Sequence, residues 1–170
     1  MRLERVVLCA VSWVLVLGAC GPVPDGEEWE GAEPETGPVT EAQTVSQQAF
    51  IGDLGSALGN AVAVHSTCGV SNQWRTTCGS GPSGDISFVW RAPSTGAYTF
   101  TTRNSTFDTV LEIRNYRATS EILACNDDSG NNLWSATALN SLIRGTLLLI
   151  TIEGYGEREC GVAHLNIARR

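Results

Sequence analysis

Asp108, Asp127 and Asp128 are the residues of this sequence whose type and spacing best suit chemistry, and Asn126 stands beside them. Carboxylate and amide oxygens are ligands that Ca²⁺ prefers. The run 126–130, Asn-Asp-Asp-Ser-Gly, is also a good turn, in which Asn and Asp side chains bond their own backbone. The sequence favours the turn first and a calcium site second. A glycosidase carboxylate pair comes third, because no cleft-forming insertion accompanies it.

These acids would meet across a predicted antiparallel hairpin. If Arg114 opposes Glu121, then Asp108 lies opposite Asp127. Like charges crowded at one end of a sheet repel each other, and a cation would relieve that repulsion. Any metal site is therefore predicted at this end of the sheet.

Four cysteines of the folded region form an even set, which in an exported domain indicates two disulfides. They are Cys68, Cys78, Cys125 and Cys160. Three pairings are possible. The short spacing favours Cys68–Cys78 across a loop, which leaves Cys125–Cys160 as a bridge across the fold. A zinc site and a redox-active pair are disfavoured because CxxC spacing is lacking.

Two tryptophans, Trp74 and Trp134, fall in predicted loops. Such side chains either stack on sugars and anchor a partner or cap the edges of the fold, and the cap is the favoured interpretation. His65 and His164 fall in predicted strands, where a structural role is expected. The sequence contains no G-x-S-x-G and no H-E-x-x-H motif, so we predict a non-catalytic protein.

The N-terminus indicates export and lipid anchoring. A basic start is followed by about a dozen apolar residues, too few to span a bilayer, as in a secretory signal. The signal ends in Leu-Gly-Ala-Cys20, which resembles the bacterial lipobox and implies lipidation of Cys20. An ordinary signal peptide with a chance cysteine is the alternative. Acylation at Cys20 would anchor the chain in a membrane.

Composition divides the chain into three predicted parts: a signal peptide at 1–19, a tether at 20–48 and a folded domain at 49–170. The tether is rich in Gly, Pro and Glu, lacks hydrophobic periodicity and is predicted to be disordered. Seven of the acids lie in the tether, whereas the domain carries ten acids against nine arginines. The domain is thus near neutral, and neither part suits nucleic acid.

The domain is predicted to be all-β, an antiparallel, jelly-roll-like β-sandwich. Short apolar runs separated by turn residues predict eight strands, at 60–66, 85–91, 97–103, 109–114, 121–126, 135–142, 147–154 and 161–167. The strand at 147–154 lacks alternation, which is typical of a central strand buried on both faces. A tight hairpin is predicted at 93–96, and a single helical turn is the only helix expected, at 52–59.

Four segments resemble the bacterial pre-peptidase C-terminal domain in order and spacing. They are 85–100 (DISFVWRAPSTGAYTF), 107–111 (FDTVL), 123–130 (LACNDDSG) and 152–156 (IEGYG). The resemblance implies a jelly-roll-like sandwich that is non-catalytic and that in some members binds calcium or extracellular polymers. Such domains accompany secreted peptidases and occur in lipoproteins of the myxobacterial type. No peptidase is expected within this sequence, which departs from the usual setting of the family.

Two functions follow as hypotheses. The first is a membrane-anchored, exported binding module for an extracellular polymer, protein or surface. The second is a structural or accessory subunit of a cell-envelope or secretion complex. The expected partners are the membrane, through the lipid anchor, and an envelope protein or polysaccharide. An aspartate directly after the lipidated cysteine is the common signal for retention in the inner membrane. Gly21 stands at that position here, so the outer membrane of the cell envelope is the expected location.

Overall fold

Residues 50–170 are described by the computed structural model, and they fold into nine strands arranged as a β-sandwich. The strands are β1 (Phe50–Asp53), β2 (Gly59–Ser66), β3 (Asp85–Arg91), β4 (Gly96–Thr101), β5 (Thr109–Asn115), β6 (Ala118–Asn126), β7 (Ala136–Leu142), β8 (Leu147–Gly154) and β9 (Val162–Arg169). Within this range no helix could cross a membrane. The predictions for Cys20, the signal and the tether concern residues outside it.

The first sheet has five strands in the order β1-β3-β8-β5-β6. All its pairs are antiparallel except β1 with β3. The middle strand is β8, whose residues are buried from Leu148 to its end at Gly154. The central position predicted from its unbroken apolar run is therefore confirmed, because a strand covered on both faces has no solvent side to fill with polar residues.

The second sheet has four antiparallel strands in the order β2-β9-β4-β7. Alternate residues of the two sheets face each other and form one apolar core. Trp90 of β3 lies at its centre, with its ring centroid 5.1 Å from that of Tyr98 and 5.5 Å from that of Phe100, both on β4. The indole N–H of Trp90 donates to the Ala57 carbonyl at 2.8 Å, so its one polar group is satisfied.

The turn at 93–96 differs from the prediction, since it does not close a hairpin. β3 belongs to the five-stranded sheet and β4 to the four-stranded sheet, so the turn carries the chain across the sandwich. Packing in the apolar core explains why the chain crosses between the sheets here. Trp90 and Tyr98 pack against each other face to edge from opposite sheets, and the Tyr98 hydroxyl donates to the Ser94 carbonyl at 2.8 Å.

All eight predicted strands are present, with ends that differ by a few residues. The strand β1 was not predicted, and the predicted helical turn at 52–59 is wrong. Gly52 and Asp53 belong to β1, and the chain then turns into β2. Only four residues long and on a sheet edge, β1 is too short for a sequence period to show.

The disulfides join Cys68 to Cys160 and Cys78 to Cys125, so the pairing predicted from spacing is wrong. Cys68 follows β2 and Cys160 precedes β9, and these two strands are antiparallel neighbours whose ends meet, with a Cα–Cα distance of 4.9 Å. The loop 67–84 then carries Cys78 over the five-stranded sheet to β6, where the Cα–Cα distance to Cys125 is 6.1 Å.

Candidate functional site

Three carboxylates meet at one end of the five-stranded sheet. Asp108 immediately precedes β5, and Asp127 and Asp128 follow β6, so pairing of these two strands gathers them. One carboxylate oxygen from each residue lies within 4.8 Å of the other two. Asp108 and Asp127 are half-buried and Asp128 is exposed. Three anionic oxygens this close form an arrangement that can hold a divalent cation.

The acids come together through a different register from the one predicted. Placing Arg114 opposite Glu121 would pair Asn126 with Thr109, whereas the structure pairs Asn126 with Leu111. Irregularities in the pairing near Arg114 shift the strands relative to each other. Sequence alternation does not reveal such bulges, because they depend on contacts with neighbouring strands.

Asn126 serves the loop rather than the carboxylate cluster. Its Oδ1 accepts the N–H of Ala136 at 2.7 Å, and its Nδ2 donates to the Asp128 carbonyl at 3.1 Å. These bonds tie the end of β6 to the start of β7. The turn chemistry predicted for this segment thus involves Asn126, while the three aspartates are left for other contacts.

The electrostatics of the cluster oppose full ionisation. Burial, and after it the charges of Asp128 and Asp108, raises the pKa of Asp127 to about 6. Burial, then Asp128 and Glu159, also raises the pKa of Asp108. The Oδ1 atoms of Asp108 and Asp127 are buried and have no hydrogen-bond partner among the described residues. Buried carboxylate oxygens without partners are costly, and a proton or a cation would satisfy them.

A groove on the outer face of the four-stranded sheet ends at Trp134. Its volume is about 390 Å³. A second groove of about 400 Å³, beside Thr106 and Leu133, shares Trp134, so the indole stands between two open depressions. The predicted ligand-contact residue Trp134 is half-buried. It is therefore fixed in the surface with part of its ring accessible.

The first groove is polar without being acidic. Its lining includes Thr99 and Thr101 of β4, Asn60 of β2, and Arg103. No carboxylate occurs among the described residues that line it. Asn166 of β9 forms part of the floor, where its amide donates to the carbonyl oxygens of Thr101, at the end of β4, and of Arg103. Hydroxyl, amide and guanidinium groups around an indole are the groups that bind sugars by hydrogen bonds and stacking.

Trp74 lies elsewhere and has a different role. It belongs to the loop 67–84, and the guanidinium carbon of Arg114 lies 5.6 Å from its ring centroid. Its backbone N–H donates to Asp85 Oδ2 at 2.6 Å. The two tryptophans therefore do not share a site, and Trp74 is held by contacts that fasten the loop to the sheet.

Three buried carboxylates hold that loop, and none of them was predicted from the sequence. Asp85, Glu112 and Glu153 are fully buried on the outer face of the five-stranded sheet. Glu153 accepts the N–H and hydroxyl of Thr76 at 2.8 and 2.6 Å, and Glu112 accepts those of Thr77 at 2.7 and 2.6 Å. A signal was present, since each acid lies directly beside apolar residues of its strand.

Arg114 completes this layer. Its Nη2 lies 2.5 Å from Glu112 Oε1 and donates to the Arg75 carbonyl at 2.9 Å. This is the only ion pair among residues 50–170. A buried carboxylate needs such partners, because desolvation without them costs several kcal/mol. The layer fixes the loop and is occupied by it, which leaves no open space for a ligand.

No protein-family model and no curated protein matches this chain. Among solved structures, the chain is similar to the pre-peptidase C-terminal domain of a collagenase from Bacillus anthracis. The match covers 72% of this chain and 96% of that domain, with 10% sequence identity and a TM-score of 0.46. At this identity and TM-score the similarity assigns no activity to the chain.

Proposed function

We propose that this chain is an exported, membrane-anchored lipoprotein whose β-sandwich is a non-catalytic binding module for an extracellular polymer of the polysaccharide class. The observation that carries the proposal is the groove at Trp134. The hydroxyl and amide groups of the groove lie on strands β2, β4 and β9, and loops place the partly accessible indole of Trp134 and the guanidinium group of Arg103 beside them. Binding sites built on sheets hold their geometry better than sites on loops.

The direct test is co-sedimentation of the protein with purified peptidoglycan and with extracellular polysaccharide. Replacing Trp134 with Ala should weaken binding roughly thirtyfold, since truncating a central tryptophan costs about 2 kcal/mol. Trp74→Ala is the matched control, because it removes the same side chain from a place remote from the groove. Equal affinity of wild type and Trp134→Ala for every polymer that binds would contradict the proposal.

A second candidate property is calcium binding at Asp108, Asp127 and Asp128. The observation that favours it is the pair of buried, unpartnered Oδ1 atoms within a cluster of three carboxylates. The donor set fits Ca²⁺, which takes six to eight oxygens, many of them from carboxylates and water. In this proposal the ion would supply positive charge that stabilises this end of the sandwich and the chain segments around it.

A further inference from the structure

Five arginines gather at the end of the sandwich opposite the carboxylate cluster, and we name this set the arginine end. Its members are Arg91, Arg117, Arg144, Arg169 and Arg170, all exposed. They come from the end of β3, the β5–β6 turn, the β7–β8 loop and the end of β9. No sequence window contains more than two of them, so only the fold brings them together.

Contacts between the loops show that these positions share one end. Arg91 pairs with Leu147 at the start of β8, and the Tyr116 N–H donates to the Leu147 carbonyl at 3.1 Å. Thr95 links two further segments, since its hydroxyl accepts the Arg144 N–H at 3.0 Å and its carbonyl accepts Nη2 of Arg169 at 3.3 Å. The four chain segments are therefore neighbours.

The arginines of this end outnumber the acids near it within residues 50–170. The single ion pair in that range involves Arg114, so none of the five arginines is neutralised by one. Asp53 and Glu121 are the acids closest to this end in strand register, and their carboxylates accept from the Gly55 N–H and the Asn115 amide. Most remaining acids are buried under the loop 67–84 or lie at the opposite end.

Apolar side chains project between the arginines. Ile143 is 70% exposed next to Arg144, and Tyr116 is 43% exposed next to Arg117. Both described grooves lie elsewhere, so this end presents loop tips rather than a cleft. Loop tips that combine basic groups with an exposed aliphatic and an aromatic side chain suit the boundary between lipid headgroups and acyl chains.

We propose that the arginine end docks on an anionic lipid surface, with Ile143 and Tyr116 entering the headgroup layer and the arginines bound to lipid phosphates. A nucleic acid or soluble polysaccharide would engage the guanidinium groups but would leave Ile143 exposed to water. The charge separation also orients the domain, because the acidic end is repelled by the same surface. This inference does not depend on the groove at Trp134.

The test uses the mature chain carrying Cys20→Ser, so that no acyl chain contributes. Co-sedimentation is measured with vesicles of phosphatidylcholine alone and with vesicles containing an equal part of phosphatidylglycerol. We expect binding only to the second, weakening as salt is added. The triple variant Arg144→Gln/Arg169→Gln/Arg170→Gln should bind roughly a hundredfold more weakly. Ile143→Ser should also weaken binding without changing the charge.

The matched control is Arg75→Gln/Arg103→Gln/Arg158→Gln, which removes the same charge from exposed arginines outside the arginine end. Its binding should remain close to that of the parent chain. The proposal is overturned if the control loses as much affinity as the first triple variant, or if both vesicle types bind equally. It is also overturned if Ile143→Ser has no effect while soluble polygalacturonate competes the chain off the vesicles.

Discussion

Asp85 places a carboxylate in the buried layer between the loop 67–84 and the five-stranded sheet. Burial raises its pKa to about 6, although N–H groups of Trp74 and Gln73 oppose the rise, and nearby Glu153 adds to it. Since this pKa exceeds the ordinary 3.8, the folded state holds the proton more tightly than the unfolded state. The stabilisation is complete below about pH 4 and is lost as the pH rises through 6.

We therefore expect the free energy of unfolding of wild type to fall between pH 4 and pH 7, with Asp85 contributing up to about 3 kcal/mol of that fall. Asp85→Asn cannot ionise and keeps an oxygen for the Gln73 and Trp74 N–H groups, so its curve should be flatter. Urea unfolding across this pH range, with chelator present, measures the free energy of unfolding of wild type and of Asp85→Asn. Asp53→Asn, which alters an exposed carboxylate, should follow wild type. Parallel curves for wild type and Asp85→Asn would refute the assignment.

Asp127 gives the calcium proposal its sharpest test. In chelator, Asp127→Asn should melt above wild type, because the substitution removes a like charge from the cluster. In calcium the order should reverse, since wild type gains about 2.7 kcal/mol at a hundredfold excess over the dissociation constant and the variant gains little. The apparent affinity should also decline below pH 6, where Asp127 takes up a proton.

The calcium site is tested by melting curves in calcium and in chelator. The proteins compared are wild type, Asp127→Asn and Glu157→Gln. Glu157→Gln removes an exposed acid outside the three-carboxylate cluster and should retain the calcium response. Absence of any calcium response in wild type would show that the acids serve only the loop. A response that survives in Asp127→Asn would place the site elsewhere.

Among the elements, the loop 67–84 departs most from its sequence pattern. Its composition is that of an exposed connection, yet it covers the outer face of the five-stranded sheet. The carboxylate of Glu153 binds its Thr76, that of Glu112 binds its Thr77, and Cys78 ties it to β6. Both faces of this sheet are consequently buried, which explains why β3, β5 and β8 carry so few exposed residues.

The disulfide pairing is open to direct measurement. Arg75, Arg117 and Arg158 separate the four cysteines, so trypsin without reduction should yield a linked pair of peptides 76–91 and 118–144. Replacing Cys78 and Cys125 with Ser should lower the free energy of unfolding by about 4 kcal/mol in the chain-entropy model, for a sequence separation of 47. A linked pair joining Cys68 to Cys78 would contradict the fold around this loop.

At the scale of the whole molecule, the three-carboxylate cluster and the five arginines of the arginine end occupy opposite ends of the sandwich. The near-neutral domain predicted from composition is thus neutral only in sum. A domain so divided has a preferred orientation near any charged surface. The expected lipid at Cys20 and the arginine end would then act as two separate membrane contacts, one covalent and one dependent on salt.

The expected anchor can be tested apart from the arginine contact. Cys20→Ser should move the protein from the membrane fraction to the soluble fraction after a high-salt wash, because salt screens the arginines and no acyl chain remains. Wild type should stay with the membrane in the same wash and carry the added mass of its lipid. Retention of the Ser variant at an unchanged mass would show that Cys20 is not the anchor.

Sequence alone determined where most strands run and which one is central. The unbroken apolar run of β8 indicates that both of its faces are buried, because a strand without a solvent side carries apolar residues at successive positions. The even cysteine count likewise indicated disulfide bonding, and the aspartates were recognised as a potential cation site. Each of these features depends on neighbouring residues in the sequence or on the number of residues of one type.

Tertiary structure decided how the pieces meet. It placed β3 and β4 in different sheets, paired Cys68 with Cys160, and gathered five arginines from four segments. It also buried Asp85, Glu112 and Glu153 beneath a polar loop. Such outcomes depend on contacts between residues far apart in the chain, and the preference of one contact over another is set by the packing of the whole core. No window of sequence contains that information.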